Sequence, residues 1–367
     1  MVTQTAVSVT AQEAAPSRIQ SLDGLRALSI LVVLYGHARA TAGFPETESY
    51  HHLLRIGDVA RFGVRVFFVI SGFLITSLLL SEMKKTGRIA LGAFYLKRLF
   101  RIFPPFYFYL AVVGVLALLG VAHVSGVDAL LAASYAINYR NERSWWVGHA
   151  WSLSVEEQFY LLWPLAFRWA GTRRGIWVVG AAVLLAPLFR AGWALEWTTK
   201  QQRFMIDEAF PTVMDALAMG CALALGRSWI DARPRLVRAL GSPLVSWGAF
   251  ALAYANLWWL EHHAWYGWLL GDTILNACVA VIIYRYVRYP GGRMGRILNS
   301  RPLMFIGTTS YSLYLWQQPF LQAARPDAPW YTRFPQNLAL SFVCALASYY
   351  AVEKPFLRLR ERLMSKS

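Results

Sequence analysis

Charged residues are scarce in this chain of 367 residues: Asp, Glu, Lys and Arg make up 15% of it, against about a quarter of a soluble domain. Hydrophobic residues make up 57% and the mean hydropathy is +0.38, whereas soluble domains are about 45–50% apolar. This deficit of charge excludes the two or three soluble domains that the length alone would suggest. It predicts a protein whose surroundings are largely lipid.

Cysteine and the common catalytic motifs are also scarce. The three cysteines all lie inside apolar runs, so neither a disulfide framework nor a metal site is expected: Cys221, Cys278 and Cys344. No spacing matches a metal site, a phosphate-binding glycine loop or a Ser-His-Asp nucleophile elbow. These absences argue against an ATP-driven pump and the commonest serine hydrolases.

The excess of positive charge is large, with 36 Lys and Arg against 20 Asp and Glu and a formal net charge of +16. The cations flank apolar stretches, where they orient membrane helices and contact anionic headgroups. We therefore expect a lipid bilayer as the partner and no nucleic acid. The 16 Trp and 18 Tyr fit the aromatic belts at membrane interfaces.

Ten apolar stretches are long enough to cross a membrane as helices, for which about 20 residues are needed. They cover residues 22–42, 62–82, 105–123, 151–169, 175–194, 209–226, 243–260, 266–287, 303–323 and 335–353. The sequence thus predicts an all-α, polytopic helix bundle as one membrane domain, residues 18–356. We expect a disordered cytosolic tail at 1–17, without a signal peptide, and a basic cytosolic tail at 357–367.

The orientation follows from the Lys and Arg between the predicted spans. When the ends of the spans are counted with the adjoining segments, one side carries 25 of the 36 and the other side carries 10, and Arg65, inside the second span, is counted with neither. By the positive-inside rule both termini are cytoplasmic, which requires an even number of helices.

Ionisable residues inside these spans are candidates for function, because lipid disfavours them. In the first span, Arg26 and His37 are eleven residues apart, which is about three helical turns and about 16 Å along one face. The alternative is an Arg that reaches headgroup phosphate and a His that packs against another helix. Arg65 lies in the apolar run of the second span, where Ser71 and Gly72 favour close helix packing.

A basic pair follows the second span. Arg98 and Arg101 share one helical face, before a Pro104-Pro105 pair that is expected to stop or kink the helix. The two guanidinium groups suit the phosphates of a donor molecule, although lipid headgroups are an equal alternative.

The fourth span opens with the strongest polar cluster, Trp151-Ser-Leu-Ser-Val-Glu156-Glu-Gln-Phe-Tyr160. Ser152, Glu156 and Tyr160 recur every four residues and share a face. Such a cluster is unfavourable in lipid unless it lines a wet cavity. We expect Glu156 to lie beside a cation such as Arg65 or His37. Polar residues of later spans are weaker candidates, which helix-to-helix contacts explain equally well: Asp215, Asp272 and Asn276.

These segments together resemble the acyltransferase 3 family of integral-membrane O-acyltransferases, which acetylate O-antigen, peptidoglycan and Nod factors or acylate macrolides. The matching segments appear in family order over nearly the whole chain: Leu22-Asp-Gly-Leu-Arg26-Ala with His37, Phe67-Phe-Val-Ile-Ser71-Gly-Phe-Leu-Ile, Arg98-x-x-Arg101-Ile-Phe-Pro, Trp151 to Tyr160, Ser310-Tyr-Ser-Leu-Tyr-Leu-Trp316 and Glu353-Lys-Pro355.

The resemblance implies ten membrane helices and an acyl-coenzyme A donor, commonly acetyl-coenzyme A, that approaches from the cytosol without a permanently bound cofactor. It places the functional Arg and His on Arg26 and His37, the basic pair on Arg98 and Arg101, and the acidic residue on Glu156. The chain departs from the family where many members have an acidic residue in place of Arg65, an Arg in place of Val213, or a His in place of Gln317.

We therefore expect an inner-membrane enzyme that acylates a hydroxyl of a carbohydrate or glycolipid acceptor. In this hypothesis His37 is the general base, Glu156 orients it, Arg65 or a backbone amide stabilises the oxyanion, and Arg26 lies beside the pantetheine arm. Trp151, Ser152 and Tyr160 are expected to contact substrate.

The rival hypothesis is a transporter or flippase of a lipid-linked sugar, although the inverted repeats typical of transporters are not detected. The sequence leaves open the acceptor, the acyl length, a transient acyl-His and a homodimer.

Overall fold

The computed structural model describes residues 19–45, 59–196 and 206–364, and these form helices and turns without a strand. The longer helices are α1 (Gln20–Ala38), α2 (Val59–Thr86), α3 (Leu91–Leu118), α4 (Ala150–Glu196), α5 (Phe210–Asp231), α6 (Pro243–His262), α7 (Asp272–Arg288), α8 (Arg301–Trp316), α9 (Gln336–Ser348) and α10 (Lys354–Met364). The shorter helical segments are Gly126–Ala133, Ile137–Tyr139, Trp145–Gly148, Pro234–Leu240, Ala264–Tyr266, Gly267–Gly271, Gly292–Leu298, Trp330–Thr332 and Tyr349–Glu353.

The prediction of an all-α membrane bundle is confirmed in its coarser form. Within the described ranges, five helices are long and apolar enough to cross a membrane: Val59–Thr86, Leu91–Leu118, Trp145–Glu196, Ile206–Asp231 and Gly267–Arg288. A sixth is added if Pro234–Leu240 and Pro243–Leu260, bent by 56°, form one span. Ten crossings and cytoplasmic termini stay predictions. The predicted tail at 1–17 lies outside the described residues, while residues 357–364 of the basic tail belong to α10.

Helix boundaries follow from glycine, proline and serine. In α4 the backbone of Gly171 has φ 66° and ψ −171°, so this element is two helices joined at a kink, corresponding to the predicted spans 151–169 and 175–194. At the start of α6 the Ser242 side chain accepts a hydrogen bond from the backbone N–H of Leu244, and Pro243 occupies the first turn, as is usual at helix N-termini.

The proline pair of α3 does not end the helix, which runs through Pro104 and Pro105 from Leu91 to Leu118. Membrane helices tolerate proline because neighbouring groups satisfy the freed carbonyls. The helix therefore begins well before the predicted start at 105, and the Arg98–Arg101 pair lies inside it.

The second helix is the centre of the bundle. In α2, 72% of the apolar stretch is buried inside the protein, against 28% in α3; α2 packs against α1 and α5. A Cβ atom at Gly72 would lie 1.9 Å from the Leu217 carbonyl oxygen, and one at Gly220 would lie 2.1 Å from that of Val69. The close packing predicted for Gly72 is confirmed, because only glycine permits this approach.

A buried ion network joins α2, α4, α5 and α7. Arg65 lies 2.7 Å from an Asp272 carboxylate oxygen and 3.5 Å from one of Asp215, and Arg61 lies 2.6 Å from Asp272. Arg190 hydrogen-bonds Asp215 at 3.1 Å. Since isolated charges inside a membrane protein are strongly unfavourable, these mutual contacts let them occupy the bundle interior.

Candidate active site

The first cavity, which we call the basic cavity, contains about 770 Å³ of empty space including its mouth. Its polar lining comes from α1, α2, α3, α4 and α8: Arg26, Ser71, Arg98, Arg101, Ser152, Glu156, Glu157, Tyr160, Ser310, Tyr311 and Tyr314. Six of the residues expected to be functional thus lie around one space: Arg26, Arg98, Arg101, Ser152, Glu156 and Tyr160. The spacing that put Ser152, Glu156 and Tyr160 on one face of α4 explains why all three reach it.

The carboxylate of this cavity is held by hydroxyl groups. Ser71 donates a hydrogen bond to Glu156 Oε1 at 2.6 Å, and Tyr160 donates one to Ser71 Oγ at 3.1 Å. The Arg98 guanidinium lies 5.2 Å from the centre of the Tyr160 ring, within the range of a cation–π contact. Neither Arg98 nor Arg101 has a carboxylate within 4 Å among the described residues, so their charges are available to an anionic ligand.

The second cavity, which we call the histidine cavity, contains about 1110 Å³ of empty space including its mouth. Its polar and aromatic lining comes from α1, α2, α4 and α8 and from the segments before α4, before α5 and after α8: His37, Arg61, Asn141, Arg143, Ser144, Trp145, His149, Trp151, Asp207, Glu208, Tyr314 and Gln318. Indole rings next to charged and amide groups can bind a ligand that is both apolar and polar.

His37 is oriented by an amide. Its Nδ1 atom lies 3.1 Å from Gln317 Oε1, and its ring makes an edge contact with Trp145 at 5.7 Å between ring centres. An amide oxygen can only accept a hydrogen bond, so this pairing places the proton on Nδ1 and makes Nε2 the basic nitrogen of the ring.

The two cavities meet at α2 and α8. Val64 and Tyr314 each line both cavities, and Ser152 and Trp151, which are adjacent in α4, line the basic and the histidine cavity respectively. The Tyr314 hydroxyl lies 2.6 Å from Ser152 Oγ and donates to the carbonyl oxygen of His149 at 2.9 Å. A thin boundary therefore separates the cationic space from the space that contains His37.

The structure does not show two charged residues, Glu156 and Arg65, where they were expected. Glu156 lies in the basic cavity and hydrogen-bonds Ser71, so the structure does not place it beside His37 or Arg65. Arg65, whose side chain is 2% exposed, lines neither cavity and belongs to the buried ion network. The carboxylates that reach Arg65 come instead from α5 and α7.

Three residues were missed as site components. Gln317 was noted only as a departure from the family, and Tyr314 lies in a matching segment but received no role. His149, 4% exposed, lines the histidine cavity; its ring packs 5.4 Å from that of Tyr314, and the Leu315 backbone lies beside it. His149 lies directly before Ala150-Trp151, where the polar cluster of the fourth span begins, and this position could have indicated that it belongs to the site.

A short ion pair stabilises the segment that leads into the histidine cavity. Burial raises the pKa of the Asp128 carboxyl, but hydrogen bonds from Arg140, from Ser125 and from the backbone N–H of Ser144 outweigh it, so this pKa lies below its ordinary value. The carboxylate thereby fixes the chain just before Trp145.

The fold and its cavities define a multi-pass membrane protein in which a cationic binding space adjoins one that carries histidine. The sequence model of the acyltransferase 3 family, described as an acyltransferase domain, matches residues 19–352, and the chain belongs to this family.

Two curated relatives are similar to this chain over most of its length. Peptidoglycan O-acetyltransferase OatA of Listeria monocytogenes is 27% identical over 371 residues, covering 92% of this chain and 55% of that protein. The protein named "Putative peptidoglycan O-acetyltransferase YrhL" of Bacillus subtilis is 26% identical over 376 residues, covering 92% of this chain and 54% of that protein. The chain thus spans about half the length of these relatives. No solved structure matches it significantly.

Proposed function

We propose that this protein transfers an acyl group, commonly acetyl, from acyl-coenzyme A in the basic cavity to a hydroxyl of a sugar, glycolipid or polysaccharide in the histidine cavity. The enzyme is a ten-helix protein of the cell inner membrane with both termini in the cytoplasm, so the donor enters from the cytosol. The single observation that supports this arrangement most is the shared boundary of the two cavities at Val64 and Tyr314.

The charge of the basic cavity supports a phosphate-bearing donor. Arg98 and Arg101 present guanidinium groups without a carboxylate partner among the described residues, and guanidinium groups bind phosphate through paired hydrogen bonds. Arg26, from α1, lines the same space. In the proposal Arg98 and Arg101 hold the coenzyme A phosphates, and Arg26 lies beside the pantetheine arm that carries the thioester toward the boundary.

The histidine cavity supports an acceptor hydroxyl. His37, held by Gln317 through Nδ1, is oriented to take the hydroxyl proton on Nε2 as the oxygen attacks the thioester. Trp145 and Trp151 offer flat apolar faces, and the Arg143–Glu208 pair at 2.5 Å offers polar partners, a combination that suits a sugar ring. The peptidoglycan named for the relatives belongs to this acceptor class.

The donor site is tested by acetyl-coenzyme A binding to the purified protein. We expect Arg98→Ala and Arg101→Ala each to weaken binding at least tenfold, since each removes a charge-assisted contact worth roughly 1.5–3 kcal/mol. Lys97→Ala is the matched control, because this neighbouring cation is exposed and lines neither cavity. An equal loss of binding in all three variants would mean that positive surface charge in general attracts the donor, and would contradict a specific site at Arg98 and Arg101.

Acyl transfer is tested in inside-out membrane vesicles supplied with acetyl-labelled coenzyme A. The wild type is expected to release coenzyme A and to label a membrane glycan with an alkali-labile acetyl group, and His37→Ala to abolish both while still binding donor. A wild type that leaves acetyl-coenzyme A unconsumed would contradict acyl transfer and favour a transporter. A His37→Ala variant with normal turnover would remove His37 from the mechanism.

A further inference from the structure

The boundary between the two cavities carries two hydroxyl groups that the proposed reaction has not yet used. Ser152 of α4 and Tyr314 of α8 are 4% and 6% exposed, and their oxygens lie 2.6 Å apart. Ser152 lines the basic cavity and Tyr314 lines both. A thioester that reaches from one cavity to a nucleophile in the other must pass these groups.

A proton count shows how the pair is arranged in the unliganded protein. The phenol of Tyr314 has one proton, and the His149 carbonyl, at 2.9 Å, can only accept a hydrogen bond. Ser152 Oγ also lies 3.3 Å from that carbonyl, and either hydroxyl of the pair can donate to the other, so one proton is directed at the carbonyl and the other at the carbonyl or at the neighbouring hydroxyl. Both protons are directed at neutral acceptors, which an anionic oxygen outcompetes because hydrogen bonds to charged acceptors are roughly twice as strong.

Arg65 is not placed to donate a hydrogen bond to the oxyanion. The oxyanion of acyl transfer needs hydrogen-bond donors placed where its charge develops. Arg65, the side chain that the sequence indicated for this role, lies 2.7 Å from Asp272 in the ion network and lines neither cavity.

We infer that the Ser152 and Tyr314 hydroxyls stabilise the oxyanion of the tetrahedral intermediate, which forms at the boundary between the basic and histidine cavities. This inference rests on the proposed acyl transfer. The acceptor hydroxyl gives its proton to His37 as its oxygen bonds to the thioester carbon, and the carbonyl oxygen, now negative, receives hydrogen bonds from Ser152 and Tyr314. The carbon–sulfur bond then breaks, the carbonyl re-forms, and the coenzyme A thiolate takes the proton from His37.

The two variants Tyr314→Phe and Ser152→Ala test this role in the vesicle assay. Removing one oxyanion donor lowers kcat by about 10²–10³-fold in other enzymes, and we expect a loss of this size in each variant. The KM and the Kd for acetyl-coenzyme A should stay within about twofold, because the ground-state thioester carbonyl needs no strong donor. The double variant should lose little more than the worse single variant, since the hydroxyls act on one oxygen.

Matched controls separate this role from helix packing. Tyr95 donates to the Leu161 carbonyl of α4 at 2.9 Å and Ser154 to the Ala150 carbonyl at 2.9 Å, and neither lines a cavity. Tyr95→Phe and Ser154→Ala therefore remove comparable hydrogen bonds onto α4, and we expect normal kcat in both.

The outcomes distinguish the inference from the function on which it rests. If the wild type consumes acetyl-coenzyme A and both boundary variants keep kcat within threefold, the inference is overturned while acyl transfer stands. A raised KM with unchanged kcat also overturns it and assigns the pair to donor binding. If Tyr314→Phe fails to fold, by thermal unfolding in detergent, Ser152→Ala alone decides. A wild type that does not consume acetyl-coenzyme A overturns the proposed function itself.

Discussion

Replacing Gln317 by Leu should lower activity without lowering stability. Gln317 is fully buried; its Oε1 holds His37 Nδ1 at 3.1 Å, and its Nε2 has no hydrogen-bond partner among the described residues. A hydrogen bond between neutral groups contributes about 0.5–1.5 kcal/mol. If this energy no longer holds His37 in its reactive orientation, the rate should fall roughly 2- to 13-fold, because about 1.4 kcal/mol corresponds to a factor of ten in rate.

The stability of the Gln317→Leu variant should increase or stay unchanged. Leucine is similar in size to glutamine and removes a buried amide N–H that has no partner among the described residues. The rate is measured as coenzyme A release in inside-out vesicles, and stability by thermal unfolding in detergent. Gln318→Leu is an unsuitable control, since Gln318 lines the histidine cavity; Asn276→Leu, a buried amide in α7 that lines neither cavity, is suitable. An unchanged rate in Gln317→Leu would refute the orienting role.

Three further predictions concern the scaffold. Arg65→Leu leaves two buried carboxylates without one of their cations and should destabilise the protein by about 3–5 kcal/mol, seen as a lower unfolding temperature; an unchanged temperature would mean that the network is dispensable. Gly72→Leu should abolish folded protein on gel filtration, because its Cβ would overlap a backbone carbonyl, whereas Gly114→Leu, with open space around it, should fold normally. Asp128→Asn should destabilise the protein at pH 7. The pKa of Asp128 is lowered in the folded protein, so its carboxylate contributes stability at pH values above the ordinary pKa of 3.8, and this contribution is lost as the pH falls through the lower, folded-state pKa. A stability difference between wild type and variant that does not narrow below pH 4 would contradict this.

The sequence predicted the parts of the site that depend on local spacing. The turn-by-turn recurrence of Ser152, Glu156 and Tyr160 placed all three at one cavity, and the same argument applied to Arg98 and Arg101. Apolar runs indicated the helices because lipid selects for them, although the proline pair misplaced the start of α3.

Partnerships between distant helices could not be predicted in the same way. His37 and Gln317 are 280 residues apart, and no periodicity relates α1 to α8. Arg190 lies near the end of the predicted span 175–194, and nothing in the sequence indicated that it would be buried in α4 with Asp215. Which carboxylate meets which cation depends on how the helices pack, and that information is spread over the whole chain.

The buried ion network also constrains how the protein is made. Arg65 and Asp272 are separated by 207 residues, which at about 5–20 residues per second is roughly 10–40 s of synthesis. During that time α2 carries a cation whose closest counter-ion has not left the ribosome. The unfinished chain therefore bears the cost of an arginine in the bilayer without this counter-ion, and α2 reaches its full stability in the bundle only after α7 has been made.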